Sequence, residues 1–277
     1  LFSAFYSKNI FNSFFTFSVL FGVIEFIRGF VLTGFPWNLI AFSFVDSLYF
    51  IQIISIIGTY SFNLICISLF TIPALYILRK SKKEIIIISI FIFISASFFL
   101  YGKLKINDFH AKKNINNPYT IRAISSNISL DRFYSDKDEL KIIKELIEIS
   151  SPKKDRPTIF IWPEGVVNED NIISADVYKK LFNNNFSDDD FIVIGLNSTE
   201  NKNNDKLFFN SMAVFNNDLD LILKYNKVYL VPFGEFTPFE NVLNLIGLKT
   251  ITNNYQSFTS GKIRVPLNIK NDKIDIK

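Results

Sequence analysis

Apolar residues are distributed very differently in the two parts of the chain. In the first hundred positions they form long runs, and the run from Ile85 to Leu100 carries no charged residue. Because a helix rises about 1.5 Å per residue, a run of this kind can cross a hydrocarbon core about 30 Å thick. The pattern predicts a membrane region over residues 1–103, with transmembrane helices at about residues 10–31, 58–78 and 84–102.

The uncharged stretch before the second predicted helix is too long for one span. We therefore interpret residues 48–57 as an interfacial or re-entrant segment. The first predicted helix carries Glu25 and Arg28, which are three positions apart and share one helical face. An ion pair between these two side chains would lower the cost of burying their charges in lipid.

Basic residues in the short loops predict the orientation. They precede the first helix and separate the second from the third, whereas residues 32–57 contain neither lysine nor arginine. The positive-inside rule places the basic loops in the cytoplasm and the region after residue 103 on the outer side. In a bacterium, this predicts a multi-pass inner-membrane protein with a periplasmic domain. The basic residues are Lys8, Arg79, Lys80, Lys82 and Lys83.

Residues 118–277 show short β-rich runs that alternate with helical periodicity, which predicts an α/β domain. One helix is predicted to follow a capping box at residues 135–138 and to end near Ser150, and a second covers Ala175–Phe182. The last two predicted strands are close enough to form a hairpin. The predicted strands are Thr120–Ser125, Thr158–Trp162, Phe191–Leu196, Ser211–Phe215 and Leu219–Tyr225.

Composition and charge exclude several classes of function. The 30 basic and 26 acidic residues are interspersed, without a basic block among aromatic residues, so a nucleic-acid partner is not expected. The single cysteine, Cys66, lies in an apolar stretch, where a packing role is expected, and it cannot form a disulfide within the chain. The sequence contains no glycine-rich phosphate loop. We therefore expect no metal ion and no other cofactor.

Three charged residues stand out because each follows an apolar run. Glu164 follows a predicted buried strand, and α/β sheets usually carry their sites at the carboxyl ends of strands. Lys227 follows the last predicted strand, and Glu235 lies in a stiff loop with two prolines and a glycine. A single glutamate or lysine after a strand is more often a solvated surface residue. The local pattern alone therefore leaves both interpretations open.

Several motifs, taken together and in order, resemble a known family. Trp162-Pro163-Glu164, Tyr225-Asn226-Lys227 and Leu230-Val231-Pro232-Phe233-Gly234-Glu235 strongly resemble the carbon-nitrogen hydrolase (nitrilase) superfamily. Arg28-Gly29-Phe30 and Thr33-Gly34-Phe35-Pro36-Trp37 are similar to the signature of its membrane branch, the apolipoprotein N-acyltransferases. Soluble nitrilases have no such segment. The resemblance extends from about residue 22 to the end of the chain.

The resemblance implies a transmembrane helical region followed by an α/β domain, a nitrilase-like α-β-β-α sandwich that is incomplete at its C-terminus. It also implies that Glu164 is a general base, that Lys227 stabilises an oxyanion and that Glu235 orients the lysine and assists catalysis. Asn210 matches a family asparagine beside the site and is implied to bind substrate, although a turn or strand-end role is at least as compatible with the pattern. Tyr134 is implied to contact substrate, in a Phe133-Tyr134 pair where the family usually has tryptophan.

The resemblance further implies a cysteine nucleophile on the strand after the segment Ser257-Phe258-Thr259-Ser260-Gly261. That position is expected just after Lys277, and Cys66 cannot replace it because it lies within a predicted span. We therefore expect the chain as given, a fragment, to be inactive.

The implied activity moves an acyl chain from a phospholipid, through a cysteine thioester, to the N-terminal α-amine of a diacylglyceryl-cysteine lipoprotein. The implied partners are the phospholipid donor, the apolipoprotein acceptor and the bilayer. Two alternatives stay open: a membrane-tethered amidase of the nitrilase type, and a non-catalytic membrane protein that binds lipid or lipoprotein.

Overall fold

The chain folds into two units, residues 1–115 and residues 116–277. The first unit is helical and the second is built around a mixed β-sheet, which confirms the predicted fold class at this level. The computed structural model describes residues 9–79, 81–112, 118–127, 139–153, 155–174, 176–202, 205–239, 257–262, 266, 268–270 and 274–276.

Three helices of the first unit are long and apolar enough to cross a membrane, as the apolar runs predicted. These are the first, fourth and fifth helices of the unit. The second and third helices are single turns of four residues each. The helices are α1 (Ile10–Arg28), α2 (Leu48–Ile51), α3 (Ile54–Ile57), α4 (Thr59–Leu78) and α5 (Lys82–Ala111).

The ends of two long helices differ from the predicted spans. Helix α1 ends at Arg28, three residues before the predicted end, and the chain continues as turns, with positive φ angles of 56° at Leu32 and 82° at Thr33. Helix α5 begins after Ser81, whose hydroxyl accepts from the N–H of Lys83 over 3.2 Å. It continues to Ala111, past the predicted end at 102, since the polar residues there extend an exposed helical surface.

The segment before α4 is not part of that helix. Helices α2 and α3 are followed by Gly58, whose φ of 77° breaks the helical path before α4 begins. The division agrees with the interpretation of residues 48–57 as separate from the span. Their interfacial or re-entrant placement stays a prediction.

Polar side chains connect three parts of the helical unit. Arg28 Nη2 lies 3.2 Å from Glu25 Oε1, which is the ion pair expected from their spacing. Asn63 of α4 donates its Nδ2 to Glu25 Oε2 over 2.6 Å, and its Oδ1 accepts from the N–H of Ala41 over 2.8 Å. Because Glu25 and Asn63 are buried, these bonds join α1, α4 and the 3₁₀ turn at residues 40–44.

The second unit contains eight strands and three helices among its described residues. Its helices have apolar residues on one side, as in the third helix of the unit, where Tyr178 and Phe182 are buried. The elements are β1 (Thr120–Ala123), α6 (Glu139–Ser150), β2 (Thr158–Ile161), β3 (Val167–Asn168), α7 (Glu169–Ser174), α8 (Asp176–Asn185), β4 (Phe191–Lys202), β5 (Asp205–Phe215), β6 (Leu221–Asn226), β7 (Ile269–Lys270) and β8 (Asp275–Ile276).

The main sheet has the order β1-β2-β4-β5-β6, and β3 also pairs with β4. Strand β1 is parallel to β2, and both β2 and β3 are parallel to β4. Strand β5 is antiparallel to both β4 and β6. Strands β2, β4 and β6 therefore run in the same direction. Their carboxyl ends lie at one edge of the sheet, where sites of α/β proteins are usually found.

Alternate residues of β4 face two different layers, as the period of a strand requires. Ile192, Ile194 and Leu196 belong to the core that contains the buried residues of α6 and α8. Val193 lies on the other face, in a smaller cluster with Ile274.

The predicted strands are present with altered bounds. Strand β4 continues from the predicted end at 196 to Lys202, and β5 begins at Asp205 rather than Ser211. These extensions pair with each other and are mostly polar, so they lack the apolar alternation that marks a strand. Strand β6 begins at Leu221 because Leu219 adopts a turn with a φ of 57°. The predicted capping box at residues 135–138 lies outside the described residues.

Candidate active site

Glu164 lies at the carboxyl end of β2, on the short segment that joins β2 to β3 beside β4. The N–H groups of Trp162 and Val166 donate to carbonyl oxygens of β4 over 2.8 and 3.0 Å. Between them, Gly165 has a φ of 63°, in the left-handed region that favours glycine. The two hydrogen bonds and this turn fix the backbone of Glu164, while its side chain is 63% exposed.

The register of β5 and β6 places Asn210 opposite Lys227. Ser211 pairs with Asn226, the last residue of β6, so the next position on each strand brings these two residues together. The N–H of Lys227 donates to the Asn210 carbonyl over 2.8 Å. Since β6 runs in the same direction as β2, Lys227 and Glu164 follow their strands at the same edge of the sheet.

Glu235 is held by its own turn. Its N–H donates to the Val231 carbonyl over 2.8 Å, and its Oε2 accepts from the N–H of Val231 over 2.7 Å. Phe233, within this turn, has a φ of 62°, a conformation that costs a bulky residue free energy and that persists only where the surrounding structure holds it. The turn leaves the second carboxylate oxygen, Oε1, directed at the other site residues.

These segments bring four polar side chains together. Asn210 Nδ2 lies 2.5 Å from Glu164 Oε1 and 2.6 Å from Glu235 Oε1. Lys227 Nζ lies 3.1 Å from Glu164 Oε1 and 2.9 Å from Glu235 Oε1. One amide and one ammonium therefore bridge both carboxylates. The other predicted site residue, Tyr134, lies outside the described residues.

The charges of this cluster stabilise one another. Partial burial disfavours the charged form of Glu164, but the hydrogen bonds from Asn210 and Lys227, together with the lysine charge, outweigh it and lower the pKa of the carboxyl. Partial burial also disfavours the Lys227 ammonium, but its bonds to Glu235 and Glu164 outweigh this and raise its pKa. Both groups are therefore ionised at neutral pH.

A second layer of polar side chains supports the strands that carry Asn210 and Lys227. Ser198 Oγ and Ser211 Oγ are 2.7 Å apart, and Ser211 Oγ donates to Asn226 Oδ1 over 2.8 Å. Both serines are buried, and the chain of bonds joins β4, β5 and β6. Sequence reasoning missed these residues. Ser198 lies beyond the predicted end of β4 at residue 196, and Ser211 is the first residue of a predicted strand, so no sequence pattern connected the two.

The segment that the resemblance places before the nucleophile lies directly against the cluster. The N–H of Phe258 donates to the Glu235 carbonyl, and the N–H of Gly261 donates to the Lys227 carbonyl, each over 2.8 Å. No local pattern predicts these contacts, because they join residues more than twenty positions apart. These two hydrogen bonds hold the backbone of Glu235 and Lys227 in place.

A cavity of about 300 Å³ opens beside the cluster. Its walls are largely apolar, and its polar groups are concentrated where Glu164, Asn210 and Lys227 meet. This combination suits a ligand with an apolar part and one reacting polar group. The cavity is lined by Ile161, Trp162, Glu164, Val193, Gly195, Asn210, Ser211, Met212, Tyr225 and Lys227.

The cluster can exchange a proton and can neutralise a developing negative charge. An ionised carboxylate can accept a proton, and an ammonium has three N–H donors, of which two carboxylates use two. A nucleophile would have to come from another residue, because Cys66 is fully buried within α4. Within the part of the chain that the structure describes, no group of three or more His, Cys, Asp or Glu side chains is arranged to hold a metal ion.

Comparison with known proteins finds similarity along most of the chain. Residues 1–72 match the family model described as the apolipoprotein N-acyltransferase N-terminal domain. An apolipoprotein N-acyltransferase of Caulobacter vibrioides is 25% identical over 262 residues, which cover 92% of this chain and 48% of the relative. One of Sinorhizobium fredii is 27% identical over 250 residues, 86% of this chain and 45% of the relative.

A third relative, the apolipoprotein N-acyltransferase of Brucella suis, is 25% identical over 260 residues, with coverages of 91% and 48%. The chain spans about half the length of the curated relatives it matches. These matches confirm the predicted resemblance to apolipoprotein N-acyltransferases, and they extend across the helical unit and most of the sheet unit.

Proposed function

We propose that the protein to which this chain belongs transfers an acyl chain from a phospholipid to the N-terminal α-amine of a diacylglyceryl-cysteine lipoprotein. The observation that carries this proposal is the cluster of Glu164, Lys227, Glu235 and Asn210 beside an apolar cavity. The relatives named apolipoprotein N-acyltransferase support the choice of reaction. The apolar helices suit substrates that stay in a bilayer.

In the first half-reaction, Glu164 takes the proton of a cysteine thiol and the sulfur attacks the acyl carbonyl carbon of the phospholipid. A C–S bond forms, and the electron pair of the carbonyl moves onto its oxygen. The third N–H of Lys227 can stabilise that oxyanion. When the ester C–O bond breaks, Glu164 returns the proton to the leaving glycerol oxygen.

In the second half-reaction, the lipoprotein α-amine attacks the thioester carbon. A C–N bond forms and the C–S bond breaks, while Glu164 accepts the amine proton and passes it to the leaving sulfur. The role of Glu235 is to hold the Lys227 ammonium in place, since its own carboxylate is fixed by the Val231 N–H. Asn210 keeps the two carboxylates at a fixed separation.

The nucleophile in this proposal is a cysteine outside residues 1–277, because the only cysteine within them is buried in an apolar helix. Without that residue, the chain by itself would not transfer acyl groups. The proposal also includes a nitrilase-like α-β-β-α sandwich. A sheet with helices on one face supports it, as does the partly exposed apolar character of the other face at Ile161 and Met212.

The proposed location is the bacterial inner membrane, with several spans and the sheet unit in the periplasm. The basic residues that follow α4 and begin α5 support this orientation. In spheroplasts, a Lys179→Cys variant should react with a membrane-impermeant maleimide, whereas a Lys83→Cys variant should not. Both side chains are exposed, so burial does not explain a difference between them. The opposite labelling pattern would reverse the orientation.

Expression of the complete gene allows the function to be tested. The purified protein should N-acylate a diacylated lipopeptide only when phospholipid is present, as measured by mass spectrometry. Lys227→Ala should abolish most transfer. Lys224→Ala is the matched control. The ammonium of Lys224 also pairs with a carboxylate, that of Glu169 at 3.1 Å, but this ion pair lies outside the cluster. Hydrolysis of small amides without lipid would instead support the amidase alternative.

A further inference from the structure

Gly195 of β4 lies unusually close to the backbone that carries Glu164. A Cβ atom placed on Gly195 would lie 2.5 Å from Glu164 Cα and 2.6 Å from the Pro163 carbonyl oxygen. Packed protein interiors do not accommodate carbon contacts this short. Because both neighbours are backbone atoms, relief would require the whole segment to move.

The segment cannot move freely, because hydrogen bonds hold it on both sides of the contact. The N–H of Trp162 donates to Val193 over 2.8 Å, and the N–H of Val166 donates to Gly195 itself over 3.0 Å. The φ of Gly195 is not in the left-handed region, so its backbone would accept alanine without strain. Glycine is therefore required at this position because a Cβ atom would not fit, and not because of the backbone conformation.

We propose that Gly195 is a positioning residue for Glu164: its missing side chain lets the Pro163-Glu164 backbone lie against β4, at the depth where the carboxylate reaches Asn210 and Lys227. The contact and the cluster are connected directly, since Glu164 Oε1 is 2.5 Å from Asn210 Nδ2 and 3.1 Å from Lys227 Nζ. If the carboxylate moved away by about 1 Å, both of these distances would exceed the usual hydrogen-bond range.

The catalytic part of this inference rests on the proposed function of Glu164, but the positional part does not. In Gly195→Ala, the Glu164 carboxylate should lose its two donors, and its pKa should rise from the lowered value toward the ordinary one. The matched control is Ile194→Val, in the adjacent residue of β4. Ile194 is fully buried on the opposite face of the strand, so this variant perturbs the same strand without touching Glu164.

The first test is a titration of the Glu164 carboxyl by ¹³C NMR in this chain in detergent, with the signal assigned from its loss in Glu164→Gln. We expect the pKa to rise in Gly195→Ala and to stay unchanged in Ile194→Val. An unchanged pKa in Gly195→Ala would overturn the inference, whether or not the protein transfers acyl groups.

The second test uses the complete protein and measures the rate constant of acyl-enzyme formation. Gly195→Ala should lower it on the order of 10²-fold, the effect of a misplacement of about 1 Å. In a Glu164→Gln background the same substitution should have little further effect, because it acts through that side chain. Equal losses in both backgrounds would indicate a general defect of the fold and overturn the inference.

If Gly195→Ala fails to fold, a high-resolution structure of the unsubstituted protein provides the decision. Clearance of more than 3.4 Å for a Cβ atom at this position would contradict the inference, and clearance below 3.0 Å would support it. An absence of transfer by the unsubstituted protein would instead count against the proposed function, and the titration would still test Gly195.

Discussion

The two units each contain a glutamate that accepts from an asparagine amide and pairs with a cation. In the helical unit, Glu25 accepts from Asn63 over 2.6 Å and lies 3.2 Å from the Arg28 guanidinium. In the sheet unit, Glu164 accepts from Asn210 over 2.5 Å and lies 3.1 Å from the Lys227 ammonium. The residue types and distances are nearly the same.

The surroundings of the two clusters differ. The side chain of Glu25 is 9% exposed, and its amide partner is bonded in turn to a backbone N–H, so the cluster joins packed helices. The side chain of Glu164 is 63% exposed and lies beside a cavity, and a second carboxylate shares its donors. Access to a ligand, rather than the set of charges, separates the proposed catalytic cluster from the structural one.

The largest expected effect distinguishes the two glutamates by activity. Glu164→Gln in the complete protein should reduce acyl transfer by about 10²–10⁴-fold, because the amide cannot accept a proton. Glu25→Gln should leave the transfer rate per folded molecule within a few fold. Mass spectrometry of the N-acylated lipopeptide measures both. Comparable losses in the two variants would remove the distinction.

Asn210→Ala should have the next largest effect. The variant removes the amide donor that Glu164 and Glu235 share. Lys227 is then the one group of the cluster that offsets the repulsion between the two carboxylates. We expect the transfer rate to fall by about 10–100-fold, which is the usual effect of losing a charge-assisted hydrogen bond. Asn216→Ala, in the turn between β5 and β6, is the control: the side-chain hydrogen bonds of Asn216 stay within its own turn, so the variant should transfer normally per folded molecule. Wild-type rates in both variants would contradict a role for Asn210.

Asn63→Ala should affect stability rather than chemistry. It leaves Glu25 and the N–H of Ala41 without their amide partner, and interhelical hydrogen bonds in membranes contribute about 0.6–2 kcal/mol. Unfolding of the chain by SDS, followed by circular dichroism, should show a loss of about that size. Asn63→Asp should restore part of the lost stability when the new carboxyl group is protonated, because it can then donate to Glu25. An unchanged midpoint in Asn63→Ala would show that the cluster does not hold the helices together.

The smallest expected effect is a dependence of stability on pH. Glu164 has a folded pKa below its ordinary value of 4.5, so its contribution is present at neutral pH and is lost as the pH falls through the folded pKa. Lys227 has a raised pKa, so its contribution is complete below 10.5 and is lost as the pH rises through the folded value. Because both groups are partly exposed, water screens these contributions.

Thermal midpoints of the chain between pH 7 and pH 3 should therefore fall less steeply in Glu164→Gln than in the unsubstituted chain. At high pH, Lys227→Ala should likewise show a flatter decline. Parallel curves for a variant and the unsubstituted chain would mean that the group makes no differential contribution.

The fold was predictable where the signal is local. The lengths of apolar runs predicted α1, α4 and α5, because the length of a run of mostly apolar residues is a property of the sequence alone. The extensions of β4 and β5 were missed, since they are mostly polar and show no alternation of apolar residues; their pairing with each other places them in the sheet.

The candidate site was predictable only in part. Apolar runs and motif resemblance singled out Glu164, Lys227 and Glu235, and the structure brings their side chains together. The bridging position of Asn210 depends on strand register, and the need for glycine at 195 depends on a close approach between segments. Both arise from tertiary contacts, which a single sequence without such contacts does not reveal.

The central claim is that Glu164 and Lys227 act together on one reacting carbonyl. The most direct measurement is the single-turnover rate of acyl-enzyme formation from phospholipid in Glu164→Gln, Lys227→Ala and the double variant of the complete protein. We predict that the double variant is slower than the worse single variant by no more than a few fold, since groups that act as a unit are not additive. Losses that multiply, or single variants that react at the unsubstituted rate, would contradict the claim.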